Sequence, residues 1–172
     1  TIDAQGRVTA AADGAGGGSK FAFSNSLRAA TWDTSRIYYG NSVYGWNYVN
    51  FNAYVASFAT VFYSNCSNGV CVPENFTNIS MRGVMKSSQS GDDIQLTCWR
   101  TANPNGVAAS LTTTLLVQQT ITATTNNVHY QIAATATGIS LTRNDLIFFT
   151  VQRITGAAAT QNIDLSVTVQ CS

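Results

Sequence analysis

Charge is what this chain has least of. Asp, Glu, Lys and Arg make up 10% of its 172 residues, where soluble domains usually carry ~25%. Nine basic residues against eight acids leave a net charge of +1, and they are scattered from Arg7 to Arg153 without forming a run. The electrostatic footprint of a nucleic-acid binder is therefore missing. No stretch of 18 apolar residues occurs, so no membrane insertion is expected. The greasiest segment, 53–63, is too short and too interrupted. There is one histidine, His129, and the four cysteines lack two Cys-x-x-Cys pairs, which argues against a metal site. No Ser or Cys motif accompanies His129, so a catalytic triad is not supported. No cofactor and no catalytic residue is expected, and the chain reads as a non-enzyme. It has neither an initiator Met nor a signal peptide, and is expected to be a fragment of a longer protein.

Neutral polar residues are abundant instead. The hydrophobic fraction is 45%, and Ser, Thr, Asn and Gln fill most of the remainder. Such surfaces are common in extracellular and virion proteins. Low charge also suits a chain that buries surface against copies of itself, because charge is depleted at interface cores. The length fits one domain with an N-terminal lead: residues 1–19 as a short extended piece and Gly-rich connector, residues 20–172 as the folded body. A body of this size buries roughly 70% of its unfolded surface.

After Ser19 nearly everything alternates with period two, the signature of strands. Strands are predicted over 20–24, 53–63, 75–85, 93–100, 110–122, 128–137, 146–153 and 162–170. On the fourth, Ile94, Leu96 and Cys98 share a face. On the sixth, Val128, Tyr130 and Ile132 oppose His129 and Gln131. The last turns Ile163, Leu165, Val167 and Val169 inward. Leu146-Ile-Phe-Phe149 is apolar on both faces. Asn103-Pro-Asn-Gly106 is the strongest turn. Gly138 to Asp145 reads as another turn, and 26–30 as a single helical turn. Region 32–51 reads as a long decorated loop or short irregular strands. The economical architecture is all-β, an antiparallel two-sheet jelly-roll-like sandwich.

Two phrases resemble those of viral fibres. Thr1-Ile-Asp-Ala-Gln-Gly-Arg-Val-Thr-Ala-Ala11 is similar to a phrase found in or just before the C-terminal head of bacteriophage tail fibres, with Asp3, Gly6 and Arg7 at the family spacing. Ser140-Leu-Thr-Arg-Asn-Asp-Leu-Ile-Phe-Phe-Thr-Val-Gln-Arg153 resembles the closing phrase of small trimeric jelly rolls at fibre tips. Asn144 stands where that phrase usually has Gly, a mild change because Asn tolerates left-handed geometry. The resemblance implies a homotrimeric receptor-binding head on a tail fibre, with a build similar to tumour-necrosis-factor-like trimers. It would sit on the virion, outside the cell, and bind a host surface receptor, a glycan or a surface protein. A weak site presented three times gains avidity without new contacts, and Thr1 to Ala11 would join three chains at a shaft end. The rival readings are a structural virion protein, such as a head fibre or capsid-decoration domain without a receptor, and a glycan hydrolase. The last would need a carboxylate pair about 5–9.5 Å apart, which eight scattered acids make a poor fit.

The receptor-binding candidates are Trp32, Asp33, Tyr38, Tyr39, Asn41, Tyr44, Trp46, Asn47 and Tyr48. Sugars dock on the flat faces of Trp and Tyr while Asn and Asp bond hydroxyls; the same rings could equally fill a core or a subunit interface. Asp92 and Asp93 read as a solvated turn. His129 reads as a surface strand residue. Arg153, late in an apolar strand, needs an acid, with Asp164 or Asp145 able to serve. Cys66, Cys71, Cys98 and Cys171 permit three pairings. Cys66 and Cys71 flank Ser-Asn-Gly-Val, where a hairpin disulfide is geometrically easy; the alternative is four thiols that behave as small apolar residues.

Overall fold

The computed structural model describes residues 19–32, 36–39, 47–50, 69–102, 113–155 and 161–172, with the backbone alone described at 27–32, 36–39, 47–50 and 161. Residues 1–18, which hold the first fibre-like phrase, and the strand predicted over 53–63 lie outside them. Ten strands follow one another: β1 (Phe21–Trp32), β2 (Arg36–Tyr39), β3 (Asn47–Asn50), β4 (Val70–Cys71), β5 (Phe76–Ser87), β6 (Asp92–Thr101), β7 (Thr113–Ala123), β8 (His129–Leu141), β9 (Leu146–Thr155) and β10 (Gln161–Cys171). A four-stranded sheet has the order β1-β10-β5-β8. A six-stranded sheet has the order β3-β2-β9-β6-β7, with β4 also pairing β9. Every pairing is antiparallel. From β5 onward the chain changes sheets at each connection except β6 to β7. That double Greek-key path is the jelly roll.

Period-two patterning decides which face goes inside. Ile79, Met81 and Met85 of β5 and Ile163, Leu165, Val167 and Val169 of β10 are buried from one sheet. Ile94, Leu96 and Cys98 of β6 and Ile147, Phe149 and Val151 of β9 are buried from the other. Each such side chain contributes about 1.5–3 kcal/mol relative to exposure. β9 is covered on both faces, as its apolar opening requires. Phe148 and Thr150 point away from the core yet remain buried, with Thr97 opposite Thr150 buried as well. There the Trp99 indole N–H donates to Thr150 Oγ1 at 2.9 Å.

Two local expectations change. Residues 26–30 form no helical turn; they continue β1, with a register irregularity between Leu27 and Ala30. Pairing with β10 supplies hydrogen bonds that one isolated helical turn cannot. The turn expected over Gly138 to Asp145 is confined to 142–145, and at Gly138 the strand makes a bulge. Asn78 pairs Thr137 but Phe76 pairs Leu141, and Gly138, at φ +68°, absorbs the extra residues so that β8 runs on. In the aromatic region 32–51 the second alternative holds at the described residues: the end of β1 and the short paired strands β2 and β3. Asn144 does adopt left-handed geometry, at φ +72°.

The sandwich has two distinguishable ends. Phe21 pairs Cys171 and Trp32 pairs Gln161, so the chain enters and terminates at the same end. The far end carries the turns between β5 and β6 and between β7 and β8. These are pinned to one another: Ser90 N–H donates to Asn126 Oδ1 at 2.6 Å, Gly91 N–H to the Ala123 carbonyl at 2.6 Å, and Asn127 N–H to the Ser87 carbonyl at 2.8 Å. The Tyr130 hydroxyl also donates to the Thr125 carbonyl at 2.9 Å.

Gly83 is where β5 and β10 approach most tightly. A Cβ there would run into the Ser166 carbonyl oxygen and lie 2.9 Å from Val167 Cα. Backbone cannot yield as a flexible side chain can. Gly83→Ala is therefore expected to destabilise the fold by about 1–3 kcal/mol, read as a lowered midpoint in urea unfolding; an unchanged midpoint would show that the strands part without strain.

Candidate functional site

The pairing along one side of β9 is interrupted. β2 runs along β9 from Gln152 to Thr150, and β4 takes up the same edge of β9, in the same direction, at Ile147 and Leu146. β2 and β4 thus continue one another along the same side of β9, separated in sequence by residues 40–69. That excursion holds eight of the chain's eighteen aromatic residues, and it includes β3, which returns to pair with β2. That segment adds one short strand, β3, to the sheet order, and insertions between elements are where binding residues concentrate.

The structure brings some of the nominated residues together and separates others. Tyr38 is in register with Tyr48, and Tyr39 with Asn47, on the β2–β3 pair. The same two β2 positions register with Val151 and Thr150 of β9; Val151 belongs to the core cluster and Thr150 to the opposite face. Trp32 sits elsewhere, as the last residue of β1 in the four-stranded sheet. Asp33, Asn41, Tyr44 and Trp46 lie outside the described residues. Cys71 is exposed in β4 and free, and Cys66, its suggested partner, lies outside them too.

Charged groups do structural work that the sequence concealed. Asp92 is buried, contrary to the solvated turn expected from Gly91-Asp92. Its Oδ1 meets the Arg153 Nη2 at 2.7 Å, with the two side chains 1% and 0% exposed. The acid that Arg153 requires is therefore Asp92, not Asp164 or Asp145. The reason is register: Ile94 pairs Arg153 across β6 and β9, which sets Asp92 on the same inward face one step away. Asp145 meets Arg100 instead, Nε to Oδ2 at 2.7 Å, and also accepts the Thr142 N–H at 2.7 Å, closing the turn before β9. β6 and β9 each supply or adjoin one Arg and one Asp, and the two pairs sit at opposite ends of the core. Asp93, on the outward face, accepts hydrogen bonds from the Thr122 hydroxyl at 2.6 Å and the Thr155 hydroxyl at 2.8 Å. These two donors hold its carboxyl below the usual range.

The described cysteines divide by burial. Desolvation pushes the Cys98 thiol well up, with Cys171 adding to it, and pushes Cys171 to about 11. Both remain protonated and inert at neutral pH. Among the described residues no group of three or more His, Cys, Asp or Glu could hold a metal ion, and no helix is long and apolar enough to cross a membrane.

Three measurements follow from this geometry. Asp92→Ala leaves a buried guanidinium without its acid and is expected to cost about 3–5 kcal/mol in urea unfolding, most of it recovered by Asp92→Leu combined with Arg153→Met; a small loss in the single variant would mean that water reaches the pair. Thr122→Val should raise the Asp93 pKa toward the ordinary carboxylate value in a carboxyl NMR titration. A depressed carboxyl stabilises the fold above its unfolded pKa, and that contribution vanishes as pH falls through the folded value. Iodoacetamide should modify Cys71 in the native protein and reach Cys98 and Cys171 only after unfolding, as peptide mass spectrometry can read.

No family model and no curated protein sequence matches this chain. Among solved structures, one match is the structure of Eiger TNF from S. frugiperda, at 13% identity and a TM-score of 0.42, covering 85% of this chain and 93% of that one.

Proposed function

We propose that this chain is the receptor-binding head of a viral tail fibre, a non-enzymatic homotrimer that attaches the virion to a glycan or protein on the host surface. The observation that carries this reading is the interruption between β2 and β4 along one side of β9, where an aromatic-rich segment is inserted that adds only the short strand β3 to the sheet. Tyr39 and Asn47, in register with Thr150 on the side away from the core, with Trp46 between β2 and β3 in sequence, are the residues we assign to receptor contact; Tyr38 and Tyr48 share the register position of the core residue Val151 and are not. Flat rings flanked by amides and carboxylates suit sugars, whose C–H faces stack while their hydroxyls bond.

Two further features support the assembly. Away from its far-end row, the outward face of the four-stranded sheet is built of small neutral side chains, Ala22, Ser24, Thr168, Ala133 and Thr135, all exposed, with Arg82 among them. Such a face permits close approach of a second copy without desolvating many charges. The entry of β1 at the end where β10 finishes also suits attachment to a shaft at that end, leaving the far end outward. The resemblances at 1–11 and 140–153 agree in order with this arrangement.

The test is competition. Excess purified protein should block adsorption of the virus to its host, and Trp46→Ala should block less well. A capsid-decoration domain would not compete at any concentration, and that result would overturn the reading.

A further inference from the structure

The last outward row of the four-stranded sheet before the far-end turns gathers its ionisable side chains. Asp164 on β10 pairs Lys86 on β5, and Lys86 pairs His129 on β8. All three lie on the face turned away from the core, because their neighbours Ile163, Leu165, Met85, Ser87 and Ile132 are buried. A cavity of about 420 Å³ opens on this row. Besides those three residues it is lined by Val84, Leu165, Ser26 and Ser166. A second hollow of about 170 Å³ adjoins it across Lys86 and Asp164, lined also by Ser88, Asn127 and Asn162. The rim is braced: Ser88 N–H donates to the Asn162 carbonyl at 3.0 Å, Asn162 N–H donates to Ser88 Oγ at 3.1 Å, and Asn127 is tied to Ser87. A hollow framed by strands and pinned turns needs little ordering when it is filled.

We propose that this hollow binds a carboxylated saccharide unit, a uronic or nonulosonic acid. The cavity has the volume of a small-ligand site. Val84, 45% exposed, gives a short apolar floor for the C–H face of a sugar ring. Asp164 accepts from ring hydroxyls, Ser26 and Ser166 donate or accept, and Lys86 supplies the charge-assisted bond to the carboxylate. The sign of the field agrees. Among the described residues this outward face carries the cations Arg82 and Lys86 against one acid, Asp164, so it favours an anion. Sitting at the far end, the row would be repeated in each copy, and weak sites add by avidity. The proposal rests on the fibre-head reading for its biological meaning and names a second contact, apart from the aromatic excursion.

The experiment is a ¹⁵N NMR titration with methyl N-acetylneuraminate glycoside and with galacturonic acid, against galactose as the neutral control. Both acids should shift the amides of 84–86, 129 and 164–166, and galactose should bind about tenfold more weakly or not at all. Lys86→Gln should reduce the affinity for the acids about tenfold, while Trp46→Ala should leave it unchanged. Equal binding of the neutral sugar, or full affinity in Lys86→Gln, overturns the proposal. So does a change in sedimenting mass on Lys86→Gln, which would make the row a contact between copies. If the unsubstituted protein and Lys86→Gln block adsorption equally well, this site falls and the fibre-head reading stands. If neither blocks, that reading falls, and the titration still decides the site.

Discussion

Two sheets hold one another only while the apolar layer between them stays dry, and the layer is weakest at its two ends, where strands stop and water can enter. This molecule closes both ends with the same device. β6 and β9 lie side by side in one sheet, and at each extremity of their pairing an Arg meets an Asp at 2.7 Å. Between those pairs the inward positions are apolar. A buried pair is not a source of stability compared with well-packed hydrophobes. Its value lies in specificity: slip the β6–β9 register by one residue and one strand's Arg and Asp turn outward, leaving the other strand's partners buried without their counter-charges. In a chain so poor in charge, four of its seventeen charged residues are committed to fixing this one register.

Most of the architecture was legible from alternation. The inward sets on β6, β8 and β10 were readable because β-branched and apolar residues recur at every second position there. Leu146-Ile-Phe-Phe149 signalled a strand covered on both faces, and Phe148 is indeed buried on the side away from the core. What misled was local chemistry. Gly91-Asp92-Asp93 looks like a solvated turn, yet only Gly91 turns and Asp92 goes inside, because its partner Arg153 lies sixty residues on and only the strand register reveals it. Gly138 looked like a turn and is a bulge, since the sheet continues wherever a partner strand is present to receive it.

The proposed binding surfaces were legible to a smaller degree. Sequence marks 32–48 as aromatic and glycine-rich, but not that β2 and β4 continue one another along one side of β9; that needs the pairing of both with β9. It separates Trp32, on the other sheet, from Tyr38 and Tyr48. The row of Lys86, His129 and Asp164 has no sequence signature at all. Its members come from three strands, and each alone reads as an ordinary exposed residue. Only the order β10-β5-β8 aligns them.

The account as a whole depends on assembly, because a small neutral sandwich with shallow contacts grips a cell only when presented in several copies. Sedimentation equilibrium of the intact chain at micromolar concentration tests this most directly. The account predicts about three times the chain mass, unchanged on dilution through that range. A single-chain mass throughout would contradict it.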